Sequence, residues 1–172
     1  MIPFYYEIPK LFNRIQNESL RHSKSLRDKD GKSMGTRYAI SDEDDAIIRK
    51  FIKESAVEVS NILSPYGRTL ADLDTPLEPF EWEATFTDDD ESTTDDCVIF
   101  RIIEPTNYDT TKTNLLENVI EGTMVYYALS KWLFKNSADG VFYKVESDDM
   151  KGKILWYLSH RTATIKRTYK YF

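Results

Sequence analysis

The feature that most constrains this chain is a change in the period of its apolar residues. From residue 41 onward they recur at helical spacing: Ile47, Ile48, Phe51, Ile52, Val59, Ile62 and Leu63. At residue 80 the period becomes two. Phe80, Trp82, Ala84 and Phe86 alternate with Glu81, Glu83 and Thr85, as in a half-buried strand. A second apolar run, residues 97–103, is apolar on both faces, and Pro105 closes it. A helical period returns at about 112–136, where Leu115, Leu116, Val119, Ile120, Met124, Tyr127, Ala128, Leu129, Trp132 and Leu133 cover a broad face. A chain with this pattern is mainly α with one β-hairpin, an α+β fold. We expect a small helical bundle with extended N- and C-terminal arms.

The helix boundaries follow from local chemistry. Residues 3–25 read as a first helix, with Pro9 tolerated in its first turn and a stripe of Leu11, Phe12, Ile15 and Leu20. Residues 26–40 read as a long loop. Ser41 is a good N-cap, Asp44 stands where a capping box needs a carboxylate, and Asp42, Glu43, Asp44 and Asp45 suit the positive end of a helix dipole. Pro65 ends this second helix, and residues 68–78 read as a connector. In the third helix Gly122 invites a close helix crossing. After a turn at 136–140, Ser147 with Asp148 and Asp149 reads as the start of a fourth helix whose apolar face is Met150, Ile154, Leu155, Tyr157, Leu158 and Ile165. All of this fits one domain, 1–172. It divides into an arm at 1–40, a capped helix at 41–65, a hairpin insertion at 79–104, a helical pair at 112–166 and a tail at 167–172.

Charge is sorted along the chain. Residues 1–37, 38–109 and 110–172 carry about +4, −14 and +4, adding to the net −6. Such segregation suits a subunit whose opposite faces meet different surfaces, including a neighbouring copy. A net charge of −6 disfavours general coating of nucleic acid. No apolar run is long enough for a membrane span, and the first residues lack the basic and apolar regions of a signal peptide. A single cysteine, Cys97, excludes an intrachain disulfide and a thiolate metal cluster, and fits a reducing cytoplasm.

We find no catalytic residues and no cofactor or metal site. His22 and His160 sit among basic residues and read as polar surface groups. Cys97 opens an apolar strand and reads as a buried core thiol. Gly31 and Gly35 lack the strand and the Lys-Ser/Thr of a phosphate loop. The hairpin tip holds Asp88, Asp89, Asp90, Glu91, Asp95 and Asp96. An EF-hand loop begun at Asp88 would need Gly and Glu where Thr93 and Ile99 stand, so the tip reads as a solvated acidic turn or a contact for a basic surface. The tail alternates basic and aromatic residues, with Lys166, Arg167, Tyr169, Lys170, Tyr171 and Phe172. Such a tail can stack on bases, but it reads better as packing on a neighbour. The apolar start, Ile2 to Tyr6, also needs a docking site, within the subunit or on a neighbour.

The stretch from Ser41 to Leu63, with Ile48, Ile52 and Ala56 behind an acidic cap, resembles the opening helix of head–tail connector (adaptor, neck ring) proteins of tailed bacteriophages. Residues 126–132 followed by 154–161 are similar to the aromatic helical segments of such small virion proteins. The resemblance covers about half of the chain and has no diagnostic motif. It implies a non-enzymatic structural protein of the virion, assembled in the host cytoplasm. Such a subunit forms a homo-oligomeric ring between portal and tail proteins, with DNA passing through the channel unread. A tail-completion or tail-terminator protein is the related alternative. A cytoplasmic nucleic-acid-binding or regulatory module is the alternative of another class. The acidic tip and the basic tail are the candidate interfaces.

Overall fold

The computed structural model describes residues 2–26, 31, 38–66, 80–81, 97–102, 108–136 and 140–159. The first element is a strand, β1 (Ile2–Glu7), followed without a break by α1 (Ile8–Ser25). The expected helix therefore begins at Ile8 rather than at residue 3. Phe4 and Tyr6 are buried while Tyr5 is exposed, so this stretch follows a period of two, and its aromatic residues favour a pleated surface. Pro9 falls in the first turn of α1, where its missing N–H costs nothing.

Strand β1 pairs antiparallel with β3 (Cys97–Ile102), in register from Ile2 opposite Ile102 to Glu7 opposite Cys97. The short β2 (Phe80–Glu81) pairs with the other edge of β3, Phe80 opposite Phe100. The expected hairpin is therefore present, and β1 extends it to a sheet of order β1-β3-β2. The apolar stretch Ile2 to Tyr6 finds its docking site within the chain itself. Tyr6 meets Phe100 edge-on at 5.9 Å and its hydroxyl donates to the Glu117 carbonyl at 3.0 Å. Cys97 is buried, as its apolar strand led us to expect.

A 3-10 turn at Asp42–Asp44 leads into α2 (Asp45–Leu63). The capping chemistry is as expected: one Asp44 carboxylate oxygen accepts from the Ser41 backbone N–H at 2.9 Å and from the Ser41 hydroxyl at 2.7 Å. The residues before it are tied down by α1 and α3. Ser19 and Ser23, both buried on α1, accept the backbone N–H groups of Ile40 (2.9 Å) and Tyr38 (3.2 Å). Trp132 donates its indole N–H to the Tyr38 carbonyl at 2.9 Å. Ser19 and Ser23 thus continue the buried stripe of Ile8, Leu11, Phe12 and Ile15, where the sequence reading had placed Leu20.

Helix α3 (Thr113–Lys135) is the central helix, packed against α1, α2 and α4. Its buried residues include Leu116, Ile120, Met124, Ala128, Leu129 and Leu133. Gly122 makes the expected close crossing: a Cβ there would lie 3.1 Å from the Met150 sulfur on α4.

Helix α4 spans Val141–Ser159, six residues longer at its start than Ser147 suggested. Gly140 takes the N-cap place, its carbonyl accepting from the Lys144 N–H at 3.1 Å. Ser147 instead faces inward and donates to the Thr123 carbonyl at 3.3 Å. Asp148 and Asp149 pair with Lys151 and Lys153 in the helix interior. The run lies inside the helix, with Ser147 satisfied by α3 and the two aspartates by lysines of α4, and has no end to cap. No helix among the described residues is long and apolar enough to cross a membrane.

Candidate functional site

Neither candidate interface drawn from the sequence can be placed. Asp88, Asp89, Asp90, Glu91, Asp95 and Asp96 lie outside the described residues, as do His160, Ile165 and the tail residues Lys166, Arg167, Tyr169, Lys170, Tyr171 and Phe172. Of the two histidines, His22 is half-buried rather than a surface group, its ring meeting that of Tyr143 edge-on at 5.4 Å. Burial, with Glu18 and Tyr126 nearby, pushes the Tyr143 phenol above its usual range. No group of three or more His, Cys, Asp and Glu side chains gathers as a metal would need among the described residues.

The surface that stands out is the outer face of α4. A helix turns 100° per residue, so Tyr143, Ser147, Ile154 and Leu158 fall on one side, and all four are buried. Val145 (59% exposed) and Trp156 (49%) fall on the opposite side, with Phe142 (61%) on one flank, Val141 (54%) and Leu155 (49%) towards the other, and the exposed Asp148 and Asp149 among them. Phe134, at the end of α3, borders the start of this stripe and is also exposed. The sequence reading joined Ile154 and Leu155 in one face; the helix separates them, burying the first and exposing the second. A helix that is apolar on both sides normally has both sides covered. Asp148 and Asp149 divide these exposed apolar side chains into two smaller patches, Val141, Phe142 and Val145 at the start of α4 and Leu155 and Trp156 near its end.

Gly152 lies in the middle of this stripe. A Cβ built there meets nothing within 4 Å. Mid-helix glycine costs about 1 kcal/mol against alanine, and no contact within the described chain requires it. Gly122 and Gly140 differ, since each touches neighbouring atoms closely.

Beside the stripe, a groove of about 470 Å³ runs between α2, α3 and α4. Tyr127 is flanked there by two ammonium groups, Lys131 at 5.1 Å and Lys151 at 5.5 Å from its ring centre. Lys151 also pairs with Glu58 (3.1 Å) and Asp148 (3.3 Å), and Lys131 with Glu54 (3.9 Å). Burial is the largest single influence on Lys151 and lowers its pKa, but the two carboxylates together outweigh it and the net shift is upward. Lys131 and Lys151 are thus each matched by carboxylates of a neighbouring helix, which makes this pair a joint between helices.

A shallower cleft lies at the other end, lined by Tyr6, Glu7, Lys10, Glu117 and Glu121. Lys10 pairs with Glu7 there, and Glu121 with Arg14 at 2.7 Å. Burial, reinforced by Glu117 and Glu121, pushes the Tyr6 phenol far above its ordinary value of 10.0. A phenol so held keeps its proton and acts as a structural donor.

Comparison with protein families, with curated proteins and with solved structures returned no match to this chain. The α4 outer face is therefore read from its own chemistry. Its apolar spacing was legible in the sequence, at Val141, Phe142, Val145, Leu155 and Trp156. Placing the helix start at Ser147 cut half of that spacing away.

Proposed function

We propose that this chain is a non-enzymatic structural subunit, built to be joined to neighbours in a larger particle. The observation that carries this reading is the two-sided apolar character of α4, one side spent on α3 and the other exposed. Among particles, the resemblance of residues 41–63 to head–tail connectors favours a neck-ring subunit of a phage virion. It would bridge portal and tail around the DNA channel. The charge sorting supports the same reading, since a ring needs unlike patches on opposite sides of each subunit.

The test is light scattering on the purified chain with negative-stain images of the same sample, alone and with portal or tail proteins. Rings, or rings formed on addition of portal, would support the reading. Rings seated on isolated tails rather than on filled heads would select the tail-terminator role. A monomer that ignores both would refute it. Charge reversal at Lys166, Arg167 and Lys170 is expected to weaken assembly in a salt-dependent way; unchanged assembly would remove the tail from the interface.

A further inference from the structure

The outward side of α1 carries a row of cations. At 100° per residue, Lys10, Arg14, Asn17, Arg21 and Lys24 fall within an arc of about 80°, away from the buried stripe of Ile8, Leu11, Phe12 and Ile15, and no carboxylate of α1 falls in that arc. At 1.5 Å per residue the row is roughly 21 Å long. Three of its cations are paired, Lys10 with Glu7, Arg14 with Glu121 at 2.7 Å and Arg21 with Glu18 at 3.0 Å. In each pair the cation is the more exposed partner, 74% against 45%, 41% against 29% and 77% against 28%. The carboxylates lie deeper and leave positive charge outermost. A trough of about 630 Å³ runs along the row, lined by Arg14, Asn17, Arg21 and Lys24 with Glu18 and Leu20.

We propose that the outward side of α1 holds the phosphate backbone of a nucleic-acid duplex without reading its sequence. Exposed ion pairs of this kind contribute only about 0–1 kcal/mol, so a phosphate can share their N–H groups at little cost. Arg14 and Arg21 each pair through one terminal nitrogen, and the planar fork of an arginine has further donors that fit phosphate oxygens. Asn17 adds an amide donor between them. The row presents no aromatic ring on which an unpaired base could stack, so it suits a duplex backbone better than a single strand. A duplex carries about one charge per 1.7 Å of axis, so the row meets more phosphates than it has cations and needs no register. Carboxylates border it on both sides, Glu18 and Glu121 on one flank and Asp42, held by Gln16 at 3.1 Å, on the other. The contact is therefore one helix wide, and a net charge of −6 keeps it weak and local. This goes beyond the assembly reading and does not rest on it.

The experiment is fluorescence anisotropy of a labelled DNA duplex of mixed sequence, titrated with the full chain at several salt concentrations, with melting curves to confirm that each variant folds. Three or four phosphates engaged by the row predict a logarithmic salt slope of about −3, a loss of roughly 40- to 150-fold in affinity between about 50 and 200 mM salt. Arg21→Gln and Lys24→Gln should each weaken binding several-fold and reduce the slope by about one. Lys50→Gln, at an exposed position on α2, should do neither. No binding at the lowest salt would overturn the proposal. So would binding that Arg21→Gln and Lys24→Gln leave unmoved, or that Lys50→Gln weakens as much as they do. Polyglutamate bound through Arg21 and Lys24 more tightly than the duplex would assign the row to an acidic protein surface and overturn the nucleic-acid partner. Failure of the chain to form rings would leave the result standing, because the titration needs none.

Discussion

Gly140→Ala and Gly152→Ala make the same chemical change on the same helix and should move stability in opposite directions. At 140 the added methyl carbon would lie 2.7 Å from the backbone carbonyl oxygen of Ser130, with the Leu133 Cβ at 3.3 Å and a Phe134 ring carbon at 3.4 Å. The nearest of these is main chain of the central helix and cannot turn aside. Overpacking of this sort costs about 1–3 kcal/mol. The alanine returns about 0.4–1 kcal/mol by narrowing the unfolded ensemble. The net expectation is a loss of about 1–2 kcal/mol, or a melting midpoint lower by about 3–6 °C for a chain of this size. At 152 nothing stands within 4 Å, so only the favourable part remains, about 0.5–1 kcal/mol of added stability. Urea unfolding followed by circular dichroism, at concentrations where the chain is monomeric, gives both numbers with one method. If Gly140→Ala proved as stable as the wild type, the tight passage from α3 to α4 would be misdescribed. If Gly152→Ala proved destabilising in the monomer, the space beside it would not be open as described.

Three further outcomes are expected. Tyr6 has a folded pKa raised above its unfolded value near 10, so its contribution is complete below that pH and is lost above it, as the unfolded phenol ionises and the buried one does not. Stability measured from pH 9 to 11 should fall, and Tyr6→Phe should flatten the fall. Ser19→Ala leaves the Ile40 N–H without its acceptor in a buried position and should cost about 1–3 kcal/mol, read by denaturant titration. Ile120→Ala, fully buried on the central helix, should cost about 2–5 kcal/mol in the same assay.

What the sequence disclosed depended on how local the cause was. The α2 cap was legible because Ser41 and Asp44 are three residues apart and their hydrogen bonds depend on nothing else. The central place of α3 was legible because its apolar face is too broad for a surface helix. Strand β1 was missed because its partner is residues 97–102, and no local rule announces a pairing across that distance. Pro9 then made a helix start look natural a few residues early. The true start of α4 was hidden by Ser147, whose hydroxyl finds a carbonyl on a different helix. Cap chemistry and core chemistry use the same residue types, and only the tertiary neighbour decides between them. The acidic tip was read as a candidate interface from charge, and the tail from its alternation of basic and aromatic residues. The α4 face was missed because the sequence reading began that helix at its middle.

The ladder between β1 and β3 also dictates an order of events during synthesis. The first strand leaves the ribosome long before residues 97–102 exist, and its neighbours on the finished sheet cannot be reached until they do. Helices α1 and α2 precede β3 in the chain and can form early from local contacts. The six opening residues must wait, apolar and unpaired, for about ninety more to be made. A translating chain therefore exposes this segment for as long as those residues take to be made. Chaperones would meet it there, and the yield of folded chain should respond to translation speed ahead of residue 102 more than to speed after it.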